Sequence, residues 1–193
     1  MLYCDGVIIM LNLRRKIEAY VPCNEQEASD RRMMLTAIDA LENPLSRENA
    51  FAHFTASCWI VNPNRTKALM VWHNIYKTWS WTGGHADGEA DLLSVALREA
   101  REETGLKDVK PVTSEIYSLE IVPVNAHVKR GRFVSAHLHM NVTYLLEADD
   151  AQPLRAKPDE NSAVGWLPLD AAADNRDEPF MAVIYRKLNA RLP

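Results

Sequence analysis

Between Gly83 and Leu106 the chain reads GGHADGEADLLSVALREAREETGL, and the second half of this stretch gathers carboxylates at the far end of one helical segment. With Asp91 as N-cap, the pattern predicts a helix over 92–104, closed by Gly105 in the left-handed conformation. Leu93, Ala96, Leu97 and Ala100 form its expected core face. Glu99, Glu102 and Glu103 stand at i, i+3 and i+4, within an arc of roughly 100° on another side. Arg98 stands beside that arc and reaches Glu102 at i+4. Like charges at these spacings repel, and the helix C-terminal end is itself partly negative. A divalent cation reverses the sign of each of these interactions. Hard ions such as Mg2+ take oxygen ligands and leave room for waters and substrate phosphates. The plainer reading is a solvated acidic face balanced by Arg98, Arg101 and Lys107.

Other residues could also do chemistry. His137 and His139 lie two apart in an expected strand and share one face. Such a pair suits a transition metal more than Mg2+, but no cysteine or third histidine is close in sequence. Hydrogen-bonded strand histidines are therefore the favoured reading. His127, Lys129, Arg130 and Arg132 make a basic loop that could meet phosphates or be a solvated turn. Trp72, Tyr76, Trp79 and Trp81 crowd the approach to Gly83, and packing under the loop is favoured over a stacking platform for a base. His85, just after the glycine pair, could touch a phosphate or water.

The elements that must position these residues are legible in outline. Asn24 followed by Glu27 makes a capping box for a helix running to Leu41, ended by Asn43-Pro44. FTASCWIV and KALMVW, separated by NPNR, read as a β-hairpin. After the acidic helix, SEIYSLEIVPV, SAHLHMNVTYLL and AVGWLPL are strand candidates. Pro179 to Leu192 reads as a helix with Phe180, Met181, Ile184 and Leu188 on one stripe. The expectation is an α/β or α+β layered domain over 51–193, preceded by a helical extension over 1–50.

Composition narrows the class. The 193 residues are 47% hydrophobic and 25% charged, ordinary for a soluble domain. A net charge of −4 argues against a nucleic-acid polymer as partner. Cys4, Cys23 and Cys58 show no paired spacing, which fits a reducing cytoplasm. The apolar run Val7–Leu11 is too short to span a bilayer, and its basic residues follow it, the wrong order for a secretory signal. Met10 is a candidate translation start.

With these residues assembled, the stretch Gly84–Leu106 resembles a Nudix box: Gly84 opens it, and Arg98-Glu99-Ala100-Arg101-Glu102-Glu103-Thr104-Gly105-Leu106 matches its closing half. Ala90 stands where the family has a loop glutamate, and Glu89 lies one residue early. The resemblance implies an α/β/α sandwich with a mixed sheet. It also implies Mg2+- or Mn2+-dependent cleavage of a pyrophosphate bond in a nucleoside diphosphate-linked or related small molecule. Glu99, Glu102 and Glu103 would be metal ligands, with one possible base among them, and Arg98 a partner of Glu99 or Glu102. Family members often add a downstream carboxylate, for which Glu160 is the candidate and Glu120 the weaker competitor. Gly84, His85, Lys129 and Arg132 would face substrate. A homodimer is the default assembly. Two rival readings are a sensor that binds a nucleotide-like ligand without cleaving it, and an isopentenyl-diphosphate-isomerase-like enzyme needing a catalytic cysteine such as Cys58.

Overall fold

The computed structural model describes residues 2–129, 131–176 and 178–193. In chain order the elements are α1 (Leu2–Ala19), α2 (Glu25–Ala40), β1 (Ala52–Val61), β2 (Lys67–His73), β3 (Trp79–Ser80), β4 (Thr82–His85), α3 (Leu92–Thr104), β5 (Val109–Pro111), β6 (Ser118–Val124), β7 (His127–Lys129), β8 (Arg132–Val134), β9 (His137–Ala148), β10 (Asn161–Pro168), α4 (Leu169–Ala173) and α5 (Pro179–Ala190). This is the expected α+β class with helices at the N-terminal end. Eight strands form one sheet with the hydrogen-bonded order β10-β2-β1-β9-β5, with β3 on β2, β4 on β1 and β6 on β9. The strands β7 and β8 form a separate ribbon. None of the described helices is long and apolar enough to cross a membrane.

Two compact units share the chain. The first comprises Met1–Ala56, Gly84–Val95 and Glu115–Thr143; the second comprises Ser57–Gly83, Ala96–Ser114 and Tyr144–Pro193.

In the first unit, α1 forms where the sequence offers no capping signal. Leu13 and Ile17, one turn apart, are buried, and Arg14 reaches Asp39 of α2 at 3.1 Å. Asn24 caps α2 by accepting from the Glu27 N–H at 2.9 Å. Glu27 is also tied beyond the cap. Its buried carboxylate takes the Cys23 N–H at 2.8 Å, the Tyr20 hydroxyl at 2.7 Å and the Ser118 hydroxyl at 2.7 Å. A buried carboxylate needs such donors. Strand β6 pairs antiparallel with β9 from Ser118↔Thr143 to Val124↔His137. The basic segment expected as a simple turn is instead the β7–β8 ribbon, with Gly131 at φ +76 in its bend.

In the second unit, the hairpin forms as expected, with Val61 paired to Ala68. Asn62 stabilises its turn by accepting from the Thr66 and Lys67 N–H groups at 2.9 and 3.0 Å. All ten residues of β1 are buried, the polar His53, Thr55 and Ser57 alternating with Phe54, Ala56 and Cys58 before an apolar run from Cys58 to Val61. Strand β10 pairs antiparallel with β2, with a bulge between Asn161 and Ala163. Helix α5 buries Met181, Ile184, Tyr185 and Leu188, and Tyr185 stacks on Trp59 at 5.2 Å. Phe180, expected on that stripe, is 49% exposed.

Helix α3 spans the predicted residues, but its buried stripe is turned by one position. Leu92, Val95, Ala96 and Ala100 are buried, while Leu93 and Leu97 are only half-buried. The difference matters because Glu99 and Glu103 border the stripe that is buried.

Candidate metal and catalytic site

The acidic cluster begins with how the end of α3 is held. Gly105 adopts φ +74, and a Cβ there would meet the Arg155 Cβ at 2.9 Å and its backbone nitrogen at 3.0 Å. Both the backbone conformation and the available space therefore require glycine. Next to it, the Arg155 N–H donates to the Thr104 carbonyl at 2.8 Å. Buried Asn161 donates to the Glu103 carbonyl at 3.1 Å and accepts from the Lys157 N–H at 3.0 Å. These bonds strap residues 155–161 to the helix end. In consequence Glu99, Glu103 and Glu160 each bring a carboxylate oxygen within 4.8 Å of the others.

The electrostatics follow from burial. Glu103 is 5% exposed, and its Oε1 accepts from the Gly83 N–H at 2.9 Å. Burial pushes its carboxyl up to about 8; the Gly83 bond and Lys157 oppose this, while Glu99 and Glu160 add to it. Burial also raises Glu99, against the pull of Arg98, whose Nη2 donates to Glu99 at 3.1 Å. Lys157 bridges Glu160 at 3.1 Å and Glu102 at 3.3 Å, and these partners outweigh burial to raise its ammonium. Three clustered carboxylates offering hard oxygen donors fit a hard divalent cation.

Glu102 lies outside that group of three. Its side chain is 47% exposed, paired to Lys157 and 4.0 Å from Arg98 Nε. Glu120 is not one of the three either: it is fully buried beside the Ser118 hydroxyl, accepting from Asn141 at 3.0 Å and from Thr143 at 2.8 Å. Gly83, Lys157 and Asn161 also touch the acidic helix end, and sequence reading gave them no part in it. Their roles arise from tertiary approach, and the only local signal was the turn-like KPDEN segment.

In the loop before α3, Glu89 Oε1 accepts from the Asp91 N–H at 2.8 Å, and Asp91 accepts from the Ser94 hydroxyl at 2.7 Å. Glu89 thus helps to seat the helix start. Gly84 and His85 form part of β4, where the sequence suggested a turn. The His85 ring lies 5.0 Å from those of His53 and His139. The Nε2 atoms of His137 and His139 are 3.2 Å apart, and burial lowers the His53 imidazole from its usual range. Arg132 is exposed on β8; Arg130 and the side chain of Lys129 lie outside the described residues.

Of the aromatic group, Tyr76 is 45% exposed and the three tryptophans are half-buried against other rings. Trp72 meets Trp79 edge-on at 5.7 Å, and Trp81 meets Tyr185 at 5.6 Å. Cys58 is buried with Sγ 3.0 Å from the Thr82 hydroxyl, and burial pushes its thiol far up. A thiol so placed is a poor nucleophile or acid.

Comparison with known proteins follows the same lines. No curated protein matches the chain. Among solved structures it is similar to a C. elegans Ap4A hydrolase binary complex (16% identity, 71% of this chain and 95% of that one, TM-score 0.50). It is also similar to a MutT protein from Methanosarcina mazei Go1 (13%, 71% and 92%, TM-score 0.55). A third is the E. coli dihydroneopterin triphosphate pyrophosphohydrolase (14%, 72% and 96%, TM-score 0.54). At these identities the likeness is one of fold. The family model of the NUDIX domain matches residues 52–188, more than two thirds of the chain, and by that match the chain belongs to the Nudix family.

Proposed function

We propose that this Nudix hydrolase is metal-dependent and cleaves a pyrophosphate bond in a nucleoside diphosphate-linked or related small molecule. The observation that carries this reading is the convergence of Glu99, Glu103 and Glu160 within 4.8 Å at the end of the helix that bears the box. These three would hold Mg2+ or Mn2+. A cation bound there screens phosphate charge and lowers the pKa of an attacking water. The Gly83 N–H fixes one oxygen of Glu103 and so the orientation of that carboxylate. Glu102, exposed and outside the group of three, is the candidate to accept the water's proton, with Arg98 as its positioning residue. Gly84, His85, Lys129 and Arg132 are proposed substrate contacts on residue type alone.

The names of the similar structures include an Ap4A hydrolase and a dihydroneopterin triphosphate pyrophosphohydrolase, which directs the test to polyphosphorylated small molecules. The test is a panel of dinucleoside polyphosphates, nucleoside triphosphates, nucleotide sugars and isopentenyl diphosphate, with products followed by phosphorus NMR. Mg2+-dependent cleavage of a phosphoanhydride supports the proposal. Undiminished turnover after exhaustive chelation overturns its metal dependence, and saturable binding without any cleavage favours the sensor reading. The isomerase reading is disfavoured already by the buried, hydrogen-bonded Cys58.

A further inference from the structure

His53, near the start of β1, meets His137 and His139 of β9, and one ring nitrogen of each lies within 4.8 Å of the others. All three belong to the first compact unit. Their ring centroids are 5.0 to 5.1 Å apart.

The hydrogen bonds around them fix which nitrogens are bare. His53 Nδ1 lies 3.0 Å from the Asn49 carbonyl oxygen, which can only accept, so Nδ1 carries the proton and Nε2 is left with a lone pair. That Nε2 is buried and has no hydrogen-bond partner among the described residues, on a side chain only 3% exposed. Burying an unpartnered polar nitrogen is unfavourable unless something else takes the lone pair. His137 repeats the arrangement: its Nδ1 lies 2.8 Å from the Ser135 carbonyl oxygen, and its Nε2 faces His139 Nε2 at 3.2 Å. Two imidazole nitrogens on one tetrahedral ion, each at about 2.0–2.1 Å, stand about 3.3 Å apart. A carbonyl behind the far ring nitrogen is the outer partner that metal-bound histidines use. A simple hydrogen bond between His137 and His139 would account for their separation, but it leaves the buried His53 nitrogen unexplained.

We propose that His53, His137 and His139 form a binding site for a transition-metal cation of the Zn2+ type. Imidazole donors select Zn2+, Co2+, Ni2+ or Cu2+ over Mg2+, so the site differs in chemistry from the glutamate cluster. Three protein ligands leave a fourth position for water or a ligand group. His85 stands beside the three, its ring 5.0 Å from those of His53 and His139, and is not one of the three converging donors.

The test uses the full chain without an affinity tag, stripped of metal and titrated with Co2+ in excess Mg2+. One equivalent of Co2+ should give the intense visible absorption of a four-coordinate ion, bleached by Zn2+. His53→Gln and His137→Asn should each weaken binding by more than the roughly 10–100-fold lost on removing an outer partner. Glu99→Gln should leave the spectrum unchanged. A colourless titration of the wild-type protein overturns the proposal, as does a spectrum that survives both histidine changes. If His53→Gln fails to fold by circular dichroism, the half-exposed His137→Asn carries the comparison.

Discussion

The backbone N–H of Gly83 donates to Glu103 Oε1 at 2.9 Å, so a residue ahead of α3 grips a carboxylate in the last turn of that helix. The bond gives the glycine pair and the glutamates a shared physical purpose. Glu103 is held on the buried side of the helix, where a charge is unfavourable without a partner. Glu99 and Glu160 then stand close enough to share one cation with it.

Replacing a carboxylate with its amide removes charge while keeping volume. Glu99→Gln, Glu103→Gln and Glu160→Gln should each weaken Mn2+ binding, followed by paramagnetic resonance. The first two should lower kcat by about a hundredfold or more. Glu102→Gln should show a different split: kcat falls by about a hundredfold while Mn2+ affinity is kept, because its carboxylate lies outside the group of three. Equal loss of metal affinity in all four variants would assign Glu102 to the ligand set instead.

The raised carboxyl of Glu103 predicts a pH dependence of stability. In the fold it titrates at about 8, against about 4.3 in an unfolded chain. The folded, metal-free protein therefore binds more protons across that window, and its stability should fall as pH rises from about 4.3 to about 8. Glu99, raised by burial, acts in the same direction. Saturating Mg2+ should flatten the slope by giving the ionised forms a partner, and Glu103→Gln should flatten it without metal. Urea midpoints at pH 5 and pH 8 measure this; a metal-free protein more stable at pH 8 would contradict it.

Much of this site was legible before the structure because it is local. Helix 92–104, its glycine stop and the spacing of Glu99, Glu102 and Glu103 are set by residues within about four turns of helix. Which helix face is buried was less so. Leu92 and Val95 compete with Leu93 and Leu97, and the face that wins carries Glu99 and Glu103, whose carboxylates find Arg98 and Gly83 as donors. The approach of Glu160 depends on Arg155 and Asn161 bonding to the helix end, partners more than 50 residues away from it. The histidines show the same limit: a third ring beside His137 and His139 is absent nearby in sequence, and the fold supplies it from position 53. Helix α1 falls inside the expected helical extension over 1–50, but its bounds were not legible, because its stability comes from packing Leu13 and Ile17, not from caps.

Gly105 should tolerate no side chain. Gly105→Ala combines a left-handed φ of +74 with a contact of 2.9 Å to the Arg155 Cβ. A loss of about 1–3 kcal/mol is expected, the range for a strained backbone position. Displacement of residues 155–161 should also loosen Glu160, so metal affinity falls along with the melting temperature. An alanine variant with wild-type metal affinity and stability would show that the strap is not needed.

The loop carboxylate gives the sharpest test of how far this chain departs from its family. Glu89 stands one residue before the position where the family has glutamate, and its Oε1 accepts from the Asp91 N–H at 2.8 Å. An amide oxygen can accept the same bond, so Glu89→Gln should lower kcat by about tenfold or less, the scale of a lost outer partner. Glu89→Ala removes the acceptor at the helix start and should lower stability by about 1 kcal/mol, as loss of a cap does. Moving the carboxylate to the family position with Ala90→Glu and Glu89→Ala together should not raise turnover, because the Asp91 N–H then loses its partner and the helix start is no longer seated. Turnover above wild type in that double variant would mean that Glu89 is a displaced box residue and that position 90 is where the carboxylate is needed. Equal losses in Glu89→Gln and Glu103→Gln would instead make the loop carboxylate a direct participant in the reaction, and its bond to Asp91 a resting contact that the working enzyme gives up.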